Sequence, residues 1–201
     1  MQDLKKEKTL VIIKPDGVQR GLIGEVIKKY EQTGLKLVSL KMLVPTNELI
    51  EKHYLVDPDW KIKRGNKTIQ AYKDKGIEPP ELDPEKSGQK VLDVLKKYLS
   101  SGPVVAMVWQ GMNVCSVIKK VTGSTEPLTS DVGTVRGDFT VDSYQVADID
   151  NRATRNIVHA SGSVEDAQKE IPLWFSESEL INYRLLNEAI LYDVNLDGIL
   201  E

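Results

Sequence analysis

Apolar and polar positions recur along this chain in blocks whose periods predict an order of elements. Thr9 to Ile13 is a short β-branched run closed by Lys14-Pro15-Asp16-Gly17, the pattern of a strand followed by a turn. Leu22 to Thr33 carries Leu22, Ile23, Val26, Ile27 and Tyr30 on one helical face, with Gly34 placed to cap it. Leu35 to Val44 reads as a second strand stopped by Pro45, and Thr46 to Tyr54 as a short helix with Thr46 as N-cap. Residues 57–87 are polar and studded with Pro and Gly, so they are expected to form a surface excursion with one short helix at most. Gln89 to Leu99 is helical, Pro103 to Trp109 is a strand buried on both faces, and Gly111 to Thr122 is a helix that Gly123 can end.

Ser124 to Asp138 has little periodicity and carries Pro127, Gly133 and Gly137, which predicts a long loop; such loops often hold function. Asn156 to His159 is a short strand, and Ser163 starts a helix with Glu165 and Asp166 in its first turn. Ser176 to Glu179 has the spacing of a capping box opening a last helix. Split strand-helix-strand pairs of this kind predict an α+β, ferredoxin-like sandwich: a four-stranded antiparallel sheet covered by helices, in a single domain over residues 1–201.

Composition narrows the function. The chain has 201 residues, a net charge of -3 and 40% apolar residues. That is enough for a sizeable core, without the basic excess expected of a protein that holds nucleic acid by its phosphates. Any anion must therefore be gripped by a local cluster. The single cysteine, Cys115, excludes an internal disulfide and lies in an apolar run where a buried small side chain is expected. No apolar stretch approaches the roughly 20 residues of a membrane helix, and the charged start has no signal-peptide core. A soluble cytoplasmic protein is expected.

The candidate chemistry centres on His159, one of two histidines. It ends an apolar strand, is followed by the small residues Ala160, Ser161, Gly162 and Ser163, and has Asn156, Arg155 and Arg152 just upstream. His53 belongs to an amphipathic stretch and is expected to pack at a helix surface. Lys14 at a strand end and Arg136 between glycines add cations, and with Thr125 and Lys119 they make a set of polyphosphate donors. Neither a Walker A sequence nor GxGxxG is present.

Four segments carry a resemblance. Ile13 to Gly21 (IKPDGVQRG), Ser101 to Trp109 (SGPVVAMVW), Gly133 to Phe139 (GTVRGDF) and Arg155 to Ser161 (RNIVHAS) resemble the blocks of nucleoside diphosphate kinases, in that family's order. With their flanks they run from Thr9 to Phe175. The resemblance implies ping-pong transfer of a γ-phosphate from a nucleoside triphosphate to a diphosphate through phosphohistidine His159. It makes Glu170 the carboxylate that holds the other ring nitrogen, with Ser161 alongside. Lys14, Tyr54, Arg136 and Asn156 match contacts to phosphate, catalytic geometry and ribose, and Thr125 matches a phosphate-binding hydroxyl. Mg²⁺ would ride on the nucleotide phosphates. Assembly as a hexamer or tetramer is implied too.

Three departures stand out. Lys119 falls where the family usually has Arg, which exchanges a forked donor for a point charge. Gly162 replaces the acidic residue common after the His-x-Ser unit. The segments near 57–100 and 140–151 are longer than in compact members, resembling the family's long form, and leave the base-stacking aromatic unassigned by alignment; Trp60 is the candidate. An alternative reading is a catalytically silent nucleotide-binding regulatory module of the same fold, favoured by loss of His159, Lys14, Arg136 or Asn156, all of which are present. A single-stranded RNA binder would need aromatics on adjacent strands and a basic face, and the strands carry few aromatics.

Overall fold

The computed structural model describes residues 5–74, 76–193, 195 and 197. Its four strands are β1 (Glu7–Ile13), β2 (Lys36–Leu43), β3 (Val104–Gly111) and β4 (Val158–Ala160). They form one sheet in the order β2-β3-β1-β4, with every neighbouring pair antiparallel. This is the ferredoxin-like arrangement that the order of elements predicts. Leu10 to Ile13 on β1 and Val104 to Trp109 on β3 are buried, which is why these central strands read as unbroken apolar runs. Register sets the faces: Trp109 lies opposite Thr9, whereas His159 lies opposite Ile12, so the two rings project from opposite sides of the sheet.

The helices are α1 (Pro15–Gln19), α2 (Ile23–Glu31), α3 (Asn47–Tyr54), α4 (Trp60–Asp74), α5 (Pro84–Leu99), α6 (Val114–Thr122), α7 (Val135–Phe139), α8 (Tyr144–Ile149), α9 (Val164–Trp174) and α10 (Glu188–Leu191). Helices α2 and α6 cover the Trp109 face. Tyr30 meets the Trp109 ring edge-on at 5.5 Å, and its hydroxyl shares a 2.8 Å hydrogen bond with Thr122. On the His159 face, α3 and α9 are joined where Trp174 Nε1 donates to His53 Nδ1 at 3.3 Å. Thr46 and Ser163 cap α3 and α9 with their side chains, and Gly34 takes the positive φ needed beyond α2.

Four segments differ from the sequence reading. Residues 57–87 are a helical hairpin rather than an excursion: α4 has 15 residues, and α5 begins at Pro84, five residues before the predicted start, with Asp83 accepting from the Glu85 and Lys86 N–H groups. The hairpin closes on two glycines instead of on an apolar stripe. A Cβ at Gly65 would stand 1.7 Å from the Pro84 carbonyl oxygen, and one at Gly88 would stand 2.0 Å from that of Lys61. The predicted turn after Lys14 is the start of α1, with Pro15 at a first-turn position that requires no N–H. The long loop from Ser124 contains a 3-10 turn, Pro127–Thr129, and then α7, capped by Thr134. The capping box at Ser176 closes one 3-10 turn, Glu177–Glu179, and no longer helix. The chain instead runs beside β2, where Ile181 N–H donates to Val38 O (2.8 Å) at a register shift between Leu37 and Ser39. Among the described residues, no helix is long and apolar enough to cross a membrane.

Candidate active site

The site begins with an unusual backbone. Ile157, just before β4, has φ +66, a conformation that a β-branched residue rarely adopts. It is held there from both sides. Its N–H donates to Asp16 Oδ2 at 3.2 Å, and its carbonyl accepts from Lys14 N–H at 2.7 Å. Asp16 also accepts from the Tyr98 hydroxyl at 2.6 Å, tying α1 to α5. Gly17 lets the two chains approach, since a Cβ there would meet Ile13 and Ile157 methyls at 2.8 and 2.9 Å. This knot aims the next residues, Val158 and His159, along the sheet edge.

His159 Nε2 lies 3.2 Å from Glu170 Oε2 on α9. The same oxygen accepts the Ser161 hydroxyl at 2.6 Å, while Ser161 Oγ accepts Leu10 N–H at 3.2 Å. Burial pushes the Glu170 carboxyl up, but His159, His53 and the Ser161 hydroxyl outweigh it and hold the group at about 2. An ionised carboxylate therefore faces Nε2, which fixes that nitrogen as the N–H donor and leaves Nδ1 with the lone pair. His53 is the unexpected neighbour: it is 1% exposed, not at a helix surface, and its ring meets that of His159 edge-on at 4.4 Å. Burial first, and then His159, lowers its pKa to about 3, so it stays neutral beside the reactive ring. His53, His159 and Glu170 come within 4.8 Å of one another. A Trp174 donor on His53 and the Glu170 contact to His159 already account for them as an orienting set.

Beyond His159 opens a cleft of about 530 Å³ between the sheet edge, the α4–α5 hairpin and the segment around α8. Lys14, Tyr54, Trp60, Thr125, Arg136 and Asn156 all line it together with His159. Lys14 Nζ donates to Asn156 Oδ1 at 2.6 Å, and Asn156 Nδ2 donates to Thr125 O at 2.7 Å. Burial, then Arg136, lowers the Lys14 ammonium to about 7. Arg136 is bound into the framework: Nε donates to Asn156 O, Nη1 to Gly123 O and Ser124 O, and Nη2 to Val158 O. Trp60 packs at 5.3 Å against Tyr54, placing an aromatic at the hairpin's edge of the cleft.

Lys119 stands apart from this group. It is exposed, it does not line the cleft, and its ammonium donates to Gly162 O at 3.1 Å. The two departures at these positions thus touch each other. Sequence reasoning placed His53 at a helix surface and gave no role to Asp16, Tyr98 or Arg64. The Pro15-Asp16-Gly17 turn was a usable signal for Asp16; the other three are brought in by helix packing that leaves no local pattern.

A histidine with a defined free nitrogen, set by a buried carboxylate and facing a cleft of cations, on a ferredoxin-like sheet, defines a phosphoryl-transfer class of site. The family model described as nucleoside diphosphate kinase matches residues 7–63 and 80–180. A nucleoside diphosphate kinase of Pyrobaculum aerophilum is 41% identical over 179 residues, covering 87% of this chain and 98% of that protein. One of Gallus gallus is 42% identical over 187 residues, covering 93% and 97%. Among solved structures, an NDP kinase from Pyrobaculum aerophilum superposes with a TM-score of 0.84 at 40% identity, covering 88% of this chain and 100% of that one. A transition-state mimic of the Borrelia burgdorferi enzyme with bound vanadate and ADP gives 0.77 at 34% identity, covering 94% and 98%. The chain belongs to the nucleoside diphosphate kinase family.

Proposed function

We propose that this nucleoside diphosphate kinase carries the transferred phosphoryl group on His159 Nδ1. The observation that carries the reading is the contact of Glu170 with Nε2, which leaves Nδ1 as the ring nitrogen without a partner among the described residues. The Nδ1 lone pair attacks the γ-phosphorus of a nucleoside triphosphate, a P–N bond forms, and the bond to the bridging oxygen breaks to release the diphosphate. The ring becomes cationic in this step, and the Glu170 carboxylate stabilises that charge. A second diphosphate then attacks the same phosphorus with a terminal oxygen, restoring neutral His159.

Lys14 and Arg136 neutralise phosphate charge in this reading. Thr125 and Asn156 donate to phosphate and ribose, Tyr54 holds the geometry beside the ring, and Trp60 stacks on the base. Mg²⁺ arrives as part of the substrate, on the phosphate oxygens. Octahedral oxygen coordination suits the polyphosphate better than the His53, His159 and Glu170 set, which is rich in nitrogen. Self-association is part of the proposal, because the edge strand β2 and its end present Leu40, Met42 and Val44 on one exposed face.

The deciding experiment is incubation with γ-labelled ATP and Mg²⁺ followed by a chase with unlabelled GDP. Acid-labile, base-stable label on His159 that moves to GDP is expected, and His159→Ala should take up none while remaining folded. Turnover of His159→Ala at the wild-type rate would rule the mechanism out.

A further inference from the structure

Two guanidinium groups that line the cleft, those of Arg64 and Arg152, are not used by the mechanism above. Arg64 lies one helical turn beyond Trp60 on α4, so both project toward the cleft and both line it. Its Nε is fully covered yet has no hydrogen-bond partner, and the residue has no ion pair among the described residues. A covered guanidinium nitrogen without an acceptor is costly, and such a group calls for an explanation. The other guanidinium groups lining the cleft are committed. Arg136 donates to four backbone carbonyls, and Arg152 forks onto Asp142 at 2.6 and 3.0 Å and reaches Asp150. Two of the acids lining the cleft are engaged as well: Glu81 faces Lys90 at 3.9 Å, and Glu126 accepts Tyr144 N–H at 2.8 Å.

We propose that Arg64 is a phosphate-binding residue of this chain, donating to the phosphates beyond the α position of the bound nucleotide. It rests on the nucleotide cleft proposed above and adds a donor to it. Two further observations agree. Arg64 lies close enough to Lys14 and Tyr54 for its charge to act on both, and these two residues line the cleft together with His159. Position 64 also opens the stretch, 64–79, that the family model leaves unmatched. Lys119, where the family usually has arginine, spends its ammonium on Gly162 O outside the cleft lining. A forked donor missing from α6 is therefore supplied from α4.

The test compares ADP and AMP binding by calorimetry in the full chain, for wild type, Arg64→Met, Arg64→Lys and Lys119→Met. Loss of one charged phosphate contact should weaken ADP binding on the order of 10–100-fold in Arg64→Met. AMP, which lacks the contacted phosphate, should bind within about twofold of wild type, and Arg64→Lys should recover part of the ADP affinity. Equal losses for ADP and AMP would overturn the proposal and make Arg64 a base or wall contact. Unchanged ADP affinity in Arg64→Met, with the loss appearing in Lys119→Met, would overturn it in favour of α6. Phosphohistidine formation is scored separately at saturating ATP. A wild-type protein that binds ADP but takes no label would sink the proposed mechanism while leaving the Arg64 comparison readable.

Discussion

Glu170 meets His159 at Nε2, 3.2 Å away, with an oxygen that also accepts the Ser161 hydroxyl at 2.6 Å. The carboxylate therefore selects the tautomer and orients the ring, and in the proposed mechanism it stabilises the positive charge that phosphorylation creates. In Glu170→Gln the amide oxygen can still accept from Nε2, but the charge is gone. Turnover should fall on the order of 10–100-fold, the usual cost of losing an orienting partner, with little change in ADP affinity. Rapid-quench measurement of the phosphoenzyme burst reads this directly. A burst at the wild-type rate would remove Glu170 from the chemistry.

Ser161 is 0% exposed and serves two elements at once, the β1 backbone through Leu10 N–H and the carboxylate on α9. Ser161→Ala leaves both partners short inside the protein. A hydrogen bond to a charged group contributes about 1.5–3 kcal/mol, so urea unfolding should register a loss of that size. A change below about 0.5 kcal/mol, the range of ordinary surface substitutions, would mean that the pair is not a structural support.

The sheet was legible in the sequence because its central strands are buried on both faces. Leu10 to Ile13 and Val104 to Trp109 leave few alternatives to buried strands, and the elements between them dictate the ferredoxin-like order. The helical hairpin was not legible. Only Gly65 and Ile69 of α4 are buried, so no apolar stripe marks it, and its contact with α5 depends on the absence of side chains. His159 stood out through its small neighbours, but Glu170 came from the resemblance, since a pair 11 positions apart on a strand and a helix has no shared period. His53 was hidden for a similar reason. Its own stretch is amphipathic, and only the packing of α3 against α9 and the sheet brings Trp174 and His159 beside it.

That buried histidine makes the fold sensitive to acid. His53 is held at about 3 in the folded chain against an ordinary 6.5, so the unfolded state binds the extra proton between those values. Stability must fall as pH drops from about 6.5 toward 3. Glu170 acts in the same direction at lower pH: its contribution is present above the ordinary 4.5 and is lost as pH falls toward about 2. His53→Gln keeps an acceptor for Trp174 and removes the first part. Urea unfolding between about pH 7 and 5 should then show a flatter slope than wild type. Parallel slopes would show that His53 does not carry the effect.

Lys14 is expected to couple nucleotide binding to proton uptake. Burial and Arg136 lower its pKa to about 7 from an ordinary 10.5, so in the free protein stability rises with pH between those values, where the unfolded chain holds the extra proton. A polyphosphate facing Nζ favours the charged form and raises the pKa. At about pH 8, ADP binding should take up most of a proton, and at about pH 6 almost none, because Lys14 is then already charged. Calorimetry in buffers of different ionisation enthalpy measures the number. Lys14→Met should abolish the uptake at the higher pH; if it persists there, another group is titrating.

The α4–α5 hairpin allows no side chain at its crossing. A Cβ at Gly65 would fall 1.7 Å from Pro84 O, and one at Gly88 would fall 2.0 Å from Lys61 O. In both cases the obstacle is backbone, which cannot rotate away as a side chain could. Gly65→Ala or Gly88→Ala must therefore pry the helices apart, at a cost of about 1–3 kcal/mol or more. Gly24, on α2 with nothing within 4 Å of its Cβ position, is the control. There alanine should stabilise by roughly 0.5–1 kcal/mol through helix propensity. The hairpin also forms one wall of the cleft, with Trp60 and Arg64 on it, whereas His159 and Glu170 sit on β4 and α9. Separating the helices should raise KM for nucleotide several-fold and leave phosphohistidine formation at saturating ATP close to wild type. If KM stays constant while stability falls, the hairpin is a structural addition with no part in holding substrate.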